Sequence, residues 1–253
     1  MKIATWNVNS LNVRLPHVLD WVNEHQPDVV GLQETKQEDS KFPYVALAEA
    51  GYQAIHSGQK TYNGVAILSR HDMADVQMGI PDFEDEQKRV IAATINGIRI
   101  VCAYVPNGQS LDSDKYQYKL RWLNALSDWL ADELVRHPKL VLLGDYNIAP
   151  EDRDCHDPAA WIGQVLVSEP ERAAFQRLVA LGLHDSFRLF EQAEGSYSWW
   201  DYRMAGFRRN LGMRIDHILV SNPLVPECKA SWIDKAPRKL ERPSDHTPVV
   251  LEI

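Results

Sequence analysis

Residues 139–150 constrain the fold more than any other stretch of this chain. The four consecutive apolar residues Leu140 to Leu143 include nothing polar that could face water, a pattern typical of a strand buried on both faces. Asp145 and Asn147 follow with a spacing of two, which places both side chains on one side of an extended chain. Pro150 prevents the strand from continuing. An acid and an amide at the mouth of a buried strand favour a chemical site; the alternative, a simple turn, uses the same residue types.

The composition is that of an ordinary globular protein. The 253 residues are 45% hydrophobic and 25% charged, and Gly and Pro do not gather in a linker, so we expect one domain spanning residues 1–253. We find no apolar run of membrane-spanning length, and the first residues are too polar for a signal peptide. Cys102, Cys155 and Cys228 lack the spacing of a metal site or of a disulfide framework. A cytoplasmic monomer is the simplest interpretation.

The charge is negative overall and unevenly distributed. The net charge of −8 at pH 7 argues against a protein that coats nucleic acid indiscriminately. Residues 203–242 nevertheless carry nine Lys or Arg against four Asp or Glu, while acids gather elsewhere, as at 82–86. An acid-rich chain with one basic side is what a cleft for a polyanion and a metal ion requires.

Hydrophobic periodicity predicts about ten strands and four helices. The strands are expected at 3–6, 28–33, 52–56, 64–69, 89–95, 98–104, 140–143, 215–220, 229–233 and 247–253. The helices are expected at 13–21, 45–50, 114–136 and 171–181, with solvated loops at 73–75 and 152–157. Strands that come as hairpins and runs, without regular β-α-β alternation, favour a mixed, largely antiparallel α/β arrangement. Two sheets packed face to face and covered by helices accommodate about ten strands better than one wide open sheet.

Polar side chains stand where these apolar strands begin or end, which indicates one site at a rim of the two sheets. They are Asn7, Glu34, Tyr104, Asp145 with Asn147, Asp216, and Asp245 with His246. Carboxylates, amides and one imidazole make an oxygen-rich set that suits a hard cation such as Mg²⁺ or Mn²⁺ better than zinc. So many acids close together would repel one another without a cation.

Plainer interpretations stay open for single residues of this set. Asn7 is also compatible with a turn, and Glu34 with the first turn of a helix. Asp216 and His217 fit an exposed strand pair, and Asp245 fits a turn before the last strand. We interpret His217 as a structural residue.

Seven motifs, in chain order, resemble the exonuclease III family. They are Thr-Trp-Asn-Val-Asn-Ser at 5–10, Leu-Gln-Glu-Thr-Lys at 32–36, Gly-Val-Ala-Ile-Leu-Ser at 64–69, Tyr-Val-Pro-Asn at 104–107, Gly-Asp-Tyr-Asn-Ile-Ala-Pro at 144–150, Arg-Ile-Asp-His-Ile-Leu-Val-Ser at 214–221 and Ser-Asp-His-Thr-Pro-Val at 244–249. This family belongs to the endonuclease/exonuclease/phosphatase superfamily. The resemblance, which spans residues 1–253, implies the DNase I-like fold, a four-layer α/β sandwich in which two packed mixed β-sheets are flanked by helices.

The resemblance also implies a role for each residue at the rim. Glu34 would be the main metal carboxylate, and Asp145 would deprotonate the attacking water. His246, oriented by Asp216, would donate to the scissile phosphate, and Tyr104 would contact the phosphate or the leaving group. Residues expected around the metal are Asn7, Glu34, Asp145, Asn147, Asp245 and His246.

Substrate contacts are implied by the same resemblance. Family members receive the extrahelical sugar of an abasic site in an apolar pocket, and the matching positions here are Trp199, Trp200 and Met213. Aromatic residues there are equally compatible with a core. Further DNA contacts are expected from Asn107, Arg203, Arg208 and Arg209.

The implied function is base excision repair on double-stranded DNA with abasic sites or with damaged or recessed 3′ ends. The activities would be a 3′→5′ exonuclease, removal of blocked 3′ ends and incision at abasic sites, with Mg²⁺ as cofactor and Mn²⁺ able to substitute. Loop 155–170 and the Trp199 pocket would set the balance among them. Two alternatives are a phosphoesterase acting on inositol phosphates or sphingomyelin, and a non-catalytic nucleic-acid-binding regulator. The stretch 199–203 argues against the first, and the intact rim residues argue against the second.

Overall fold

The strands form two six-stranded sheets and a two-stranded ribbon in this computed structural model, which describes residues 1–253. Sheet A contains, in spatial order, β13 (Ala230–Ile233), β14 (Val249–Glu252), β1 (Lys2–Asn7), β2 (Val29–Gln33), β4 (Val65–Ser69) and β3 (Gln53–Ser57). Sheet B contains β5 (Ala74–Met78), β6 (Val90–Ile95), β7 (Ile98–Tyr104), β8 (Leu140–Asp145), β12 (Asp216–Ser221) and β9 (Leu183–Asp185). The ribbon pairs β10 (Trp199–Trp200) with β11 (Gly212–Met213).

Each sheet is mixed, with one parallel pair at its centre. In sheet A, β1 runs parallel to β2 and antiparallel to β14. In sheet B, β7 runs parallel to β8, and β8 runs antiparallel to β12. The carboxyl ends of a parallel pair lie at one edge of a sheet, so each sheet brings two strand exits together there.

The chain contains five helices, of which the four longest lie on the outer faces of the two sheets. They are α1 (Leu11–His25), α2 (Tyr44–Glu49), α3 (Asp114–Arg136), α4 (Glu169–Ala180) and the short α5 (Gly206–Arg209). Local capping fixes where α3 and α4 begin. The Ser113 side chain accepts from the Tyr116 backbone N–H at the start of α3, and Ser168 and Glu171 form a reciprocal capping box at the start of α4. None of the helices combines the length and apolar content needed to cross a membrane.

Three apolar clusters hold four layers together. The first contains Trp21 of α1 and Leu47 of α2 against the outer face of sheet A. The second lies between the sheets and consists of residues such as Ile67, Cys102 and Leu143. The third packs α3 and α4 against the outer face of sheet B. The order helix, sheet, sheet, helix confirms the predicted four-layer α/β sandwich with two packed mixed sheets.

The two sheets approach closely at Gly31 of β2. A Cβ atom added there would lie 2.1 Å from Cδ1 of Leu143 on β8, inside van der Waals contact. Leu143 is fully buried, as are the other three apolar residues of its strand, so the prediction of a strand buried on both faces is confirmed. Glycine at this position therefore lets sheet A and sheet B pack without a gap.

The sequence-based assignment of elements was incomplete in four places. Strands β5, β9, β10 and β11 were not predicted, since β5 is an exposed edge strand and the others have only two or three residues. Ala74 and Asp75, expected in a solvated loop, are exposed as expected but belong to strand β5. Residues 152–157 are the other stretch expected to be a solvated loop. Within it, Asp154 is fully buried and paired with Arg214 at 2.7 Å.

Candidate active site

The predicted rim residues meet at one edge of the two sheets. Asn7 ends β1, and Glu34 directly follows β2, its parallel neighbour. Tyr104 and Asp145 are the last residues of β7 and β8 and face each other in register. Asp216, the first residue of β12, is the partner of Asp145 on its other side. Sheet A and sheet B therefore each supply part of one site.

Sharp turns follow the strand exits and point their side chains back toward this edge. Glu34 and Asn147 have φ angles of +52° and +48°, in the left-handed region that non-glycine residues rarely adopt. Asn9 and Lys36, two residues after Asn7 and Glu34, have φ angles of +43° and +54°. Strain of this kind persists where surrounding contacts hold it, and it concentrates at functional sites.

Asp145 lies at the centre of the site. Its Oδ2 accepts from Nδ2 of Asn7 at 2.8 Å, and its Oδ1 accepts from the backbone N–H of Asn147 at 2.9 Å. Nε2 of His246 lies 3.7 Å from the same carboxylate. Only 1% of Asp145 is exposed, and this burial raises the pKa of its carboxyl above the ordinary value.

Glu34 is the second carboxylate. Its Oε1 accepts from Nδ2 of Asn7 at 2.9 Å, and its Oε2 lies 2.9 Å from Nζ of Lys36. Burial alone would raise the pKa of Glu34, but the Lys36 charge and the Asn7 bond outweigh burial and lower it. Glu34 is therefore held as an anion, with one amide shared between it and Asp145.

The ligand atoms of Glu34, Asp145 and His246 lie within 4.8 Å of one another. Two carboxylates from different strands, at the edge of a polar cleft, fit a divalent cation that keeps several of its waters. Asn7 points its NH₂ group at both carboxylates, and Asp245 has no oxygen within this group of ligand atoms. Glu34 and Asp145 are thus the groups best placed to hold a metal.

His246 is oriented by Asp216. Its Nδ1 lies 2.9 and 3.1 Å from the two oxygens of the Asp216 carboxylate, which is fully buried. The Ser198 hydroxyl donates to the same carboxylate at 2.7 Å. Burial would lower the pKa of His246, but the charges of Asp216 and Asp145 raise it to about 10. At neutral pH His246 is an imidazolium with Nε2 directed toward the site.

Tyr104 remains a neutral phenol beside the carboxylates. Burial, followed by the charge of Glu34, raises its pKa well above the ordinary value. The Arg89 guanidinium lies over its ring, 4.6 Å from the centroid, and donates to its backbone carbonyl at 3.1 Å. Tyr104 can therefore donate a hydrogen bond to an anionic substrate.

Asp245 is hydrogen-bonded to Asn9 and Trp199. Its oxygens accept from Nδ2 of Asn9 at 2.9 Å and from Nε1 of Trp199 at 3.0 Å. Lys36 donates to the Asn9 side-chain oxygen at 2.7 Å, so Asn9 links Asp245 to the Glu34 side of the site. Sequence reasoning missed Asn9, Lys36 and Ser198. The first two repeat the spacing of two that identified Asn147, but no comparable signal marks Ser198.

The predicted apolar pocket is built differently from the expectation. Trp199 is half-buried and lines an open pocket of about 440 Å³. Trp200 and Met213 lie on opposite faces of the β10–β11 ribbon, both are fully buried, and neither lines this pocket. The remaining pocket walls include His156, Trp161, Met204 and Leu211.

The predicted basic residues lie on one exposed loop. Arg203 is 85% exposed at its side chain and pairs with Asp201, while Arg208 and Arg209 are exposed on α5. Asn107 lies apart from them and donates to the side-chain oxygen of Asn147 at 3.2 Å. A second pocket, which is polar and has a volume of about 720 Å³, opens beside Asn107. Its walls include Tyr62, Arg89, Tyr104, Asn107 and Lys115.

Fold and site together define a class, the metal-assisted phosphoester hydrolases built on two packed sheets. Residues 4–246 match the Endonuclease/Exonuclease/phosphatase family, and the chain belongs to that family. Over its whole length it is 39% identical to exodeoxyribonuclease III of Haemophilus influenzae, covering 99% of that protein. It superimposes over its whole length, at a TM-score of 0.98 and 51% identity, on 99% of the 3′ phosphatase NExo from Neisseria bound to product DNA hairpin. Over 99% of its length it matches 98% of an AP endonuclease from Archaeoglobus fulgidus, with a TM-score of 0.96 and 41% identity.

Proposed function

We propose that this protein is a DNA-repair phosphodiesterase of the exonuclease III type, folded as one domain and active as a monomer. Its activities would be 3′→5′ exonuclease on double-stranded DNA, removal of blocked 3′ ends and incision at abasic sites in base excision repair. The observation that carries the proposal is the Asp145 carboxylate, which joins the Asn7–Glu34 pair of sheet A to the Asn147 and His246 side of the site. Full-length similarity to an exodeoxyribonuclease and an AP endonuclease supports the choice of DNA as substrate.

In this proposal Glu34 and Asp145 hold Mg²⁺, for which Mn²⁺ can substitute. When bound, the cation offsets negative charge that grows on the phosphate oxygens. Asp145 takes the proton of the attacking water, and the Asn147 backbone N–H bond keeps that carboxylate in place. The His246 imidazolium donates from Nε2 to a phosphate oxygen, and this donor is aligned in advance by Asp216.

The two pockets support a substrate that extends to both sides of the site. The polar pocket beside Tyr104 offers Arg89 and Lys115 to a phosphate backbone. The exposed loop with Arg203, Arg208 and Arg209 flanks the apolar pocket on the other side. A polyanion lying across the Asp145 cluster would contact cations at both ends, although the net charge of the protein is −8.

The test is cleavage of two end-labelled duplexes, one with an internal abasic-site analogue and one with a recessed 3′ end. Each is incubated with Mg²⁺, with Mn²⁺ or with EDTA, and the Asp145→Asn variant is the matched control. Metal-dependent cutting of both duplexes by the unmodified protein alone is the expected result. Attack on the recessed end alone would restrict the function to 3′-end processing. If a folded sample with metal cuts neither duplex, the proposal is wrong, and the phosphoesters of inositol and sphingomyelin become the next substrates to test.

A further inference from the structure

One buried cation lies outside the metal site and touches its framework. Lys119 of α3 and Glu171 of α4 form an ion pair in which neither side chain has any solvent exposure. Burying two charges costs free energy that their mutual attraction often fails to recover, and apolar residues of the same size are frequently as stable. The position of this pair therefore calls for an explanation other than stability.

Lys119 holds the two loops that carry site amides. Besides Glu171, its ammonium group donates to the backbone carbonyl of Asn147 at 2.7 Å and to that of Asn107 at 3.1 Å. The three donors of the ammonium group thus have one partner each. Asn107 follows β7 and Asn147 follows β8, and their side chains hydrogen-bond to each other at 3.2 Å. A single cation thus joins the exits of two neighbouring strands.

Glu171 extends this connection to a third loop. Its Oε1 accepts from the backbone N–H of Leu166 at 3.0 Å, and its Oε2 accepts from the Ser168 backbone and hydroxyl at 3.1 and 2.6 Å. The carbonyl of Leu166 in turn accepts from the Ala149 N–H at 2.7 Å. Leu166 has a φ angle of +76°, so its backbone needs such support.

We infer that Lys119 and Glu171 are positioning residues that set the geometry of Asn107 and Asn147. Neither residue touches the carboxylate pair. They act through the backbone of Asn147, whose left-handed conformation aims its N–H at Asp145. A displacement of about 1 Å at such a group can cost about 10²-fold in rate. The consequence for turnover rests on the proposed function; the consequence for loop geometry does not.

The test removes both charges together, because removing one would leave the other buried and unpaired. The variant is Lys119→Met with Glu171→Gln, in which the glutamine oxygen can take the place of Oε2 and accept from Ser168, whereas its NH₂ group replaces Oε1 and cannot accept from Leu166. The matched control is Arg99→Met with Glu133→Gln. This second buried pair, at 2.6 Å, also joins α3 to sheet B, but it lies at the opposite end of β7 from Tyr104.

Hydrogen exchange of backbone amides is the first measurement. We expect exchange at least about tenfold faster at Asn147, Ala149 and Leu166 in the Lys119/Glu171 variant, with the amides of sheet A unchanged. The control variant is expected to leave these three amides protected. Unchanged protection in the Lys119/Glu171 variant would overturn the inference, whether or not the protein cleaves DNA.

Turnover is the second measurement. On a recessed 3′ end we expect kcat to fall about 10- to 100-fold in the Lys119/Glu171 variant, with KM within about threefold. The control is expected to keep kcat within about twofold. An equal fall in both variants would show a general effect of losing a buried pair and would overturn the positioning role. An inactive unmodified protein would refute the proposed function alone.

A charge-conserving variant covers the case in which the double variant does not fold. Lys119→Arg keeps a cation for Glu171, but a planar guanidinium cannot place donors on both loop carbonyls in the lysine geometry. It is expected to accelerate exchange at Asn147 while Leu166 stays protected. Normal exchange and normal kcat in this variant would overturn the inference equally.

Discussion

Replacing Asp216 by asparagine tests most directly how His246 works. Asparagine has nearly the shape of aspartate, and its carbonyl oxygen can still accept the Nδ1 bond that now measures 2.9 Å. The same oxygen can still accept from the Ser198 hydroxyl, which now donates to Oδ2 of Asp216 at 2.7 Å. We therefore expect the fold to persist while the negative charge beside the imidazole is lost.

The size of the effect follows from the surroundings of His246. The Asp216 carboxylate is its nearer anion, at 2.9 Å against 3.7 Å for Asp145, and burial by itself lowers the pKa of the ring. Without Asp216 the imidazolium loses the largest of the charges that raise the pKa of His246 to about 10, and that pKa falls. Loss of a preorganised charged donor costs about 3–4 kcal/mol in the transition state, which corresponds to a kcat about 10²- to 10³-fold lower.

The assay is cleavage of a duplex with a recessed 3′ end, with kcat and KM measured at neutral pH and unfolding followed in urea. Ser198→Ala is the matched control, because it removes one hydrogen bond to the same carboxylate and keeps the charge. The hydrogen bond that this control removes is worth about 1 kcal/mol. If all of this free energy is lost from the transition state, kcat falls roughly fivefold. If Asp216→Asn folds normally and keeps kcat within about threefold of the unmodified protein, the charge of Asp216 is not what makes His246 effective.

Three other outcomes follow from the same geometry. Glu34→Gln is expected to weaken Mg²⁺ and Mn²⁺ binding about tenfold or more in calorimetric titrations, because one of the two best-placed carboxylates is lost. Unchanged affinity would show that the metal binds elsewhere. Arg208→Ala and Arg209→Ala are each expected to reduce the slope of log K against log salt for duplex binding by about 1 per lost phosphate contact. The control Arg121→Ala, exposed on α3, should leave this slope unchanged. Equal slopes in all three variants would show that the loop is not part of the DNA interface. Burial lowers the pKa of His217 from 6.5 to about 4. As pH falls from 6.5 toward 4, the unfolded chain therefore binds a proton at this residue and the folded chain does not. Up to about 3 kcal/mol of folding stability is lost over this range. Urea unfolding of His217→Asn should show a shallower pH dependence over that range, and a profile identical to that of the unmodified protein would contradict this.

The sequence predicts the layers well because their signals are local. Helix α3 spans Asp114–Arg136, as its apolar spacing and Pro138 indicated. The Asn96-Gly97 turn joins β6 and β7 as expected. Periodicity and turn chemistry act within a few residues of each other, so both can be recognised in the chain without knowledge of its partners.

Residues whose environment comes from distant segments could not be assigned in this way. Lys119 lies on the apolar face of α3, three residues after Tyr116, but its partner Glu171 lies on another helix and no local pattern identifies it. Trp200 and Met213 are buried on opposite faces of a short ribbon by distant segments, and two-residue strands have no periodicity to recognise. His217, taken as structural from the sequence, is a fully buried neighbour of Arg214, and the exposed strand pair is excluded.

Because the site is divided between two sheets, catalysis depends closely on the position of one sheet relative to the other. Asn7 and Glu34 move with sheet A, and Asp145 moves with sheet B, so sliding one sheet by an ångström would separate them while every strand stayed intact. The substitution Gly31→Ala would cause such a displacement, because the added methyl group would press against Leu143 of the other sheet. Its circular dichroism spectrum could match that of the unmodified protein while activity disappeared. Inactivating substitutions found in a screen can therefore map to the apolar interior between the sheets, at residues that do not meet the substrate.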